Sequence, residues 1–397
     1  MIIDLPCEVC KNMDLVSVLD LGEHPLCDDL IPVGNDIECS RFPINIVFCR
    51  VCYTAFQNHE VDKKILFPKS YHYRARMTGS VLAGMKDFVE SVEVRLGDLS
   101  GKLVLDIGCN DGSLLNFFED KGCNTVGIEP TGAALDSRHQ TMNMFFDSVS
   151  ASEFMSKYGN PDIITFTNVF AHINNLPELI NNLKMLIGKN TTIVIENHYL
   201  GAVLRTDQFD TFYHEHPRTY SQHSFEYISK SLGLNLTDVQ YVSRYGGNIR
   251  AFIGRGDPIE SSKFVENVFF EQFSKMAANI KDWQLETKTW IEEFVANNGR
   301  IRAKAFPGRA AILIEMLNLN ENHISAVYEI KGSMKVQNYV PGTRIPILPE
   351  ADLYSLDDQG KPILNLAWHL PKEVRKNLEN NGYFGKVLDI KKFDAEG

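Results

Sequence analysis

The stretch Leu103-Val-Leu-Asp-Ile-Gly-Cys-Asn-Asp-Gly-Ser-Leu-Leu115 decides the fold. An apolar run breaks into a glycine-bearing turn and resumes as a helix-forming segment, the pattern of a strand, a tight turn and a helix. Gly108 and Gly112 let the backbone turn sharply and approach a ligand closely. The next strand, Asn124-Thr-Val-Gly-Ile-Glu-Pro130, ends in Glu129. That acid stands roughly 20 residues beyond the turn, where a carboxylate takes both hydroxyls of a ribose. The turn lacks the lysine of a phosphate-binding loop and carries Asp106 and Asp111 instead. Acids there repel a pyrophosphate but suit a ligand bearing an ammonium and a sulfonium.

Further strands follow at Pro161–His172 and Thr191–His198. Strands alternating with helices predict a parallel sheet whose sites lie at the carboxyl ends, and Asn168, His172, Glu196 and His198 fall at or just past such ends. From Ser261 to Asn298 the chain predicts a helix with Val265, Phe269, Phe273, Met276, Ile280 and Trp283 on one face, a pattern of core packing. Asn297-Asn-Gly-Arg300 stops it and marks a domain junction.

Upstream, four of the eight cysteines form two knuckles, Cys7-Glu-Val-Cys10 and Cys49-Arg-Val-Cys52. Two CxxC turns complete a closed four-sulfur shell around a tetrahedral ion, so the pattern predicts structural zinc with no open coordination position. The long interval between the knuckles calls for a small β-rich module. Cys27, Cys39, Cys109 and Cys123 lack such spacing and read as core thiols.

Hydrophobic residues make up 44% and charged residues 23%, a globular composition whose length favours two or three domains. The opening Met1-Ile-Ile-Asp-Leu-Pro-Cys7 has no basic n-region, and no run approaches the roughly 18 apolar residues of a membrane span. A soluble cytoplasmic protein with no membrane partner is expected, a monomer or a small homo-oligomer. The net charge of −11 speaks against nucleic acid as a partner, since such binding neutralises phosphates.

Phe209-Asp-Thr-Phe-Tyr-His-Glu-His-Pro-Arg-Thr-Tyr-Ser221 is the densest cluster of ionisable and aromatic side chains. His214-x-His216 is also a metal-binding spacing, but no third ligand of clear spacing stands nearby. Together with the paired knuckles, the glycine turn and Arg244-Tyr-Gly-Gly-Asn-Ile-Arg250, this segment resembles the nucleotide-sugar C-methyltransferases, which alkylate a carbon beside the ketone of a nucleotide-linked keto-deoxy sugar. The resemblance implies an α/β protein in three parts. Residues 1–70 would form a β-rich zinc-binding module, 71–256 a class I methyltransferase core of Rossmann-like type, and 257–397 a helical linker with a C-terminal Rossmann-like domain that contributes to nucleotide-sugar binding.

The same resemblance implies S-adenosylmethionine as cofactor, contacted by Asp106, Gly108, Asn110, Glu129 and Asn168. It makes His216 the catalytic base, with Tyr213, Glu215 and His172 in the same pocket. Tyr71 or Tyr73 matches a further pocket tyrosine, and Asn197, His198 and Arg250 fall on the substrate side.

The C-terminal turns depart from the family pattern. Ala305-Phe-Pro-Gly-Arg-Ala-Ala311 replaces a Gly-Ala-rich turn with a lysine, Glu329 replaces an aspartate, and Arg244-Tyr-Gly-Gly247 replaces His-Gly-Gly, whereas Pro341-Gly-Thr343 is kept. Methylation of oxygen or nitrogen on a related nucleotide sugar would share the cofactor loop but need less than the whole Tyr213–His216 apparatus. A zinc-containing RNA methyltransferase would need a basic, aromatic-rich surface. A non-catalytic scaffold on the same fold would need none of the site residues.

Overall fold

A computed structural model describes residues 6–71 and 73–392. Most of the opening on which the absence of a leader was read, Met1–Leu5, lies outside them. The N-terminal part is an antiparallel meander of β1 (Leu15–Pro25), β2 (Arg41–Cys49) and β3 (Ala55–Gln57). Side chains alternate across a strand, so β2 serves two cores. Ile44, Ile46 and Phe48 face the C-terminal part, while Val47 and Cys49 face the central one.

The central sheet contains β4 (Leu103–Ile107), β5 (Asn124–Ile128), β6 (Gln140–Met142), β7 (Ile163–Thr167) and β8 (Thr192–His198), all parallel. After β8 the chain gives β9 (Arg218–Thr219), which leaves this sheet and pairs antiparallel with β3 as a fourth strand of the N-terminal meander. It then returns as the antiparallel pair β10 (Asn235–Val242) and β11 (Asn248–Gly254). The order β6-β5-β4-β7-β8-β11-β10 is the class I methyltransferase arrangement, with the reversed strand wedged beside β8.

The C-terminal sheet, β12 (Ile301–Lys304), β13 (Ile324–Glu329), β14 (Ile347–Pro349), β15 (Ile363–Asn365) and β16 (Val387–Asp389), is wholly parallel. Its order β14-β13-β12-β15-β16 reverses between β12 and β15. A doubly wound sheet binds ligands in the crevice at that reversal, beyond the carboxyl ends of its strands.

The long helix between the two parallel sheets runs from Phe269 to Asn298 and closes on Gly299 at φ 73°. It buries Phe269, Phe273, Met276 and Ile280 as the periodicity predicts, with Trp283 half-buried against the same core. Val265 does not belong to that stripe. It sits on a separate short helix, Lys263–Glu266, and is 74% exposed. That turn is oriented by the buried Glu266 carboxylate, which accepts from the backbone N–H groups of Gln222 and His223 and from the Tyr199 hydroxyl. Three hydrogen bonds to a buried charge outweigh burying one valine.

Candidate active site

The glycine turn folds as its residue types require. Gly108 takes φ 74°, and a β-carbon there would stand 2.5 Å from the Val169 side chain, so only glycine lets the loop close against the end of β7. The Glu129 carboxylate crosses from β5 to accept the N–H of Asn110 at 3.0 Å and that of Thr131 at 2.8 Å. Asp106 is buried, accepts the Thr165 hydroxyl at 2.7 Å, and has its pKa pushed up to about 7 by burial and by the Glu129 charge, against the opposing Thr165 bond. A carboxyl so poised ionises readily when a cation arrives.

Asp106, Gly108, Asn110, Glu129 and Asn168 line one end of a cavity of about 1200 Å³. The other end is lined by His172, His198, Tyr213, Glu215 and His216 with Tyr71, while Tyr73 lines the cavity beside the glycine turn, its carbonyl accepting from Asn110. The His216 ring lies 4.3 Å from Tyr213, 4.9 Å from His172 and 5.4 Å from His198, centroid to centroid. Its Nδ1 is 2.9 Å from the Thr211 carbonyl. A carbonyl only accepts, so Nδ1 carries the proton and the lone pair sits on Nε2. Burial and the charge of Arg309 hold this imidazole neutral, its pKa down to about 4 despite the Thr211 bond. Tyr71 donates to Glu215 at 3.2 Å, and burial beside Asp28 pushes the Glu215 carboxyl well above the usual range.

Two expected substrate contacts stand elsewhere. Arg250 is 1% exposed and spends its guanidinium on Glu196 and Asp87, each at 2.8 Å. Asn197 is buried in β8 with its side chain turned away from the cavity lining. Alternation along a strand explains this: in β8, His198 faces the cavity and its neighbour cannot. His214 likewise points outward, bonding the Phe42 carbonyl at 3.0 Å, so the His-x-His spacing brings no metal pair together.

The C-terminal part supplies further walls: Pro307, Gly308 and Arg309 of the turn after β12, Glu329 and Lys335 at and after the end of β13, and His369, which no motif marked, all line the cavity. Arg309 pairs with Asp210 at 3.3 Å and reaches the Thr211 hydroxyl at 3.3 Å, next to the carbonyl that orients His216. The turn Ala305–Ala311 and Glu329 stood among the family turns in the sequence, whereas the hint for His369 was only its place beyond the carboxyl end of β15.

The four knuckle cysteines converge, their sulfurs all within 4.8 Å of one another. Cys7 and Cys52 are 3.5 Å apart, as are Cys10 and Cys49. A tetrahedral zinc with bonds of about 2.3 Å needs sulfur–sulfur edges of about 3.8 Å, so the shell fits the ion.

Family models match three consecutive stretches: a zinc binding domain at residues 7–67, a methyltransferase domain at 82–239 and a C-methyltransferase C-terminal domain at 259–386. With the central sheet and its glycine turn, they define the chain as an S-adenosylmethionine-dependent methyltransferase. It is similar along most of its length to the C-methyltransferase NovU of Streptomyces niveus, with 27% identity over 399 residues that span 95% of this chain and 94% of that protein. Among solved structures, the magnesium protoporphyrin IX methyltransferase of Synechocystis PCC 6803 with bound S-adenosylhomocysteine matches 44% of this chain and 84% of its own, at 16% identity and a TM-score of 0.33. The mitomycin 7-O-methyltransferase matches 45% and 55%, at 14% identity and a TM-score of 0.35.

Proposed function

We propose that this methyltransferase transfers its methyl group to a carbon beside the ketone of a nucleotide-linked keto-deoxy sugar. The observation that carries the reading is the state of His216: a neutral imidazole, its Nδ1 proton held by the Thr211 carbonyl, in the cavity that the cofactor loop also lines. Oxygen and nitrogen nucleophiles need little help, whereas a carbon must first lose a proton.

The cofactor, when bound, supplies a methyl group on a positively charged sulfur. His216 Nε2 takes the proton from the carbon, and the electron pair of that bond moves into the carbonyl to give an enolate. The carbon then bonds the methyl as its bond to sulfur breaks, leaving neutral S-adenosylhomocysteine. Tyr213, His172 and the protonated Glu215–Tyr71 pair surround the base and can donate to the enolate oxygen. Asp106 and Glu129 would hold the amino-acid and ribose ends of the cofactor. The crevice of the C-terminal sheet, opening on the same cavity, would take the nucleotide.

The test is a panel of nucleotide-linked keto-deoxy sugars incubated with cofactor carrying a carbon-13 methyl. The expected product gains a methyl whose carbon signal is that of a C–CH3 group. Methyl arrival only on oxygen or nitrogen, or on no member of the panel, contradicts the reading.

A further inference from the structure

The cofactor is a zwitterion as well as a sulfonium, and its amino-acid carboxylate needs a partner. The acids around the glycine turn, Asp106 and Glu129, would repel it. Most cations lining the cavity are engaged: Arg74 and Arg76 with Asp136, Arg309 with Asp210, Lys335 with the Phe306 carbonyl, and Lys63 over the Phe145 ring.

Arg244 differs. Its guanidinium leans toward Glu196 at 3.4 Å and lies beside Tyr245, yet neither terminal nitrogen makes a hydrogen bond of normal geometry among the described residues, and both are buried. Glu196 already receives Arg250 at 2.8 Å. Buried donors left without acceptors cost free energy and mark a place where a ligand completes the set.

The surroundings hold Arg244 toward the cofactor end. Its guanidinium passes over Gly84 so closely that a β-carbon there would stand 2.0 Å from Nη1. Tyr245, at φ 54° in the left-handed region, has its hydroxyl beside that of Tyr73. The Tyr73 carbonyl accepts from Asn110 Nδ2 at 3.1 Å, and Asn110 Oδ1 accepts the Ala75 N–H at 3.0 Å, so this corner is stitched to the glycine turn. Asn248 Nδ2 donates to Glu196 at 3.3 Å and to Asn168 Oδ1 at 3.2 Å, and Asn168 lines the same cavity as Arg244.

We propose that Arg244, backed by Tyr245 and Tyr73, is the seat of the cofactor's amino-acid carboxylate. It faces Asp106, which takes the ammonium. The inference rests on the cofactor and not on the acceptor sugar, so it survives or fails independently of the panel above.

Calorimetry on the full chain tests it with S-adenosylhomocysteine and with its decarboxylated form, which keeps the amine. Wild type should bind the decarboxylated form about tenfold more weakly, and Arg244→Gln should lower S-adenosylhomocysteine affinity by about tenfold while leaving the decarboxylated form within about twofold. Arg244→Lys should recover part of the loss. Equal weakening of both ligands would make Arg244 a structural partner of Glu196, and unchanged affinity for both would place the carboxylate elsewhere. Should Arg244→Gln fail to fold, the wild-type pair and Arg244→Lys still decide: a wild type indifferent to the carboxylate overturns the proposal.

Discussion

In the proposed function, Glu129 would do two jobs with one carboxylate. Each oxygen accepts one backbone N–H, from Asn110 or Thr131, and each retains a lone pair for a ribose hydroxyl. Glu129→Ala should therefore weaken S-adenosylhomocysteine binding by about 1.5–3 kcal/mol, tenfold or more, from the ligand contacts alone. The loss of two loop tethers adds to this, so Glu129→Gln, which keeps one acceptor oxygen, should recover part of it. Calorimetry reads both, with circular dichroism to show an unchanged fold; wild-type affinity in Glu129→Ala would remove Glu129 from the cofactor site. The place of this acid beside the glycine turn was legible because spacing along two consecutive strands fixes it. Asn197 and Arg250 were misread because proximity in sequence to His198 and the glycine pair says nothing about which face of a strand a side chain takes. His369 was invisible for the opposite reason: it reaches the cavity through tertiary packing between sheets, which no local pattern encodes.

At the scale of elements, β9 joins the metal module to the chemistry. It follows His216 by one proline and pairs with β3, so the segment bearing His216 leads straight into a strand of the zinc-module sheet. Arg218 on β9 is buried and donates to the carbonyls of Ile173 and Asn174, just past His172, while pairing with Glu8 inside the first knuckle. Thr54 and Ser224 add a hydrogen bond at 2.8 Å from the second knuckle to the following helix. The metal thus orders the turn bearing His172 and the loop bearing His216. Purified protein should carry one zinc per chain by mass spectrometry of the native protein, and Cys7→Ser or Cys49→Ser should unfold or aggregate it, since binding energy of a structural zinc is folding energy. A metal-free preparation that folds fully and transfers methyl would contradict this. The knuckles and the glycine turn could be read because each is a local device with fixed spacing. The break before Phe269 could not, because its cause is Glu266 capping a helix some forty residues earlier in the chain.

Across the whole molecule, one cavity takes walls from all three parts of the chain, and burying it leaves many imidazoles neutral. Burial lowers the pKa of His172, His198 and His369 well below 6.5, and that of His214 and His216 to about 4. Between about pH 4 and 6.5 the unfolded chain binds protons that these folded side chains refuse, so stability falls as pH falls through that window. Asp106, Glu215 and Glu60 have raised pKa values and act with the opposite sign, but the histidines outnumber them. The melting temperature should drop steadily below about pH 6.5, and His214→Gln, outside the cavity, should soften the drop. A melting temperature that holds or rises on acidification would contradict the burial of these rings.

The proposed carbon methylation requires proton removal by His216, and exchange of the acceptor's α-proton with deuterated solvent measures that step alone. With a nucleotide-linked keto sugar that wild type enolises in the absence of the methyl donor, His216→Ala and His216→Asn should still bind cofactor and substrate yet lose both exchange and methyl transfer. Variants that exchange as fast as wild type would show that another group is the base and would contradict the account.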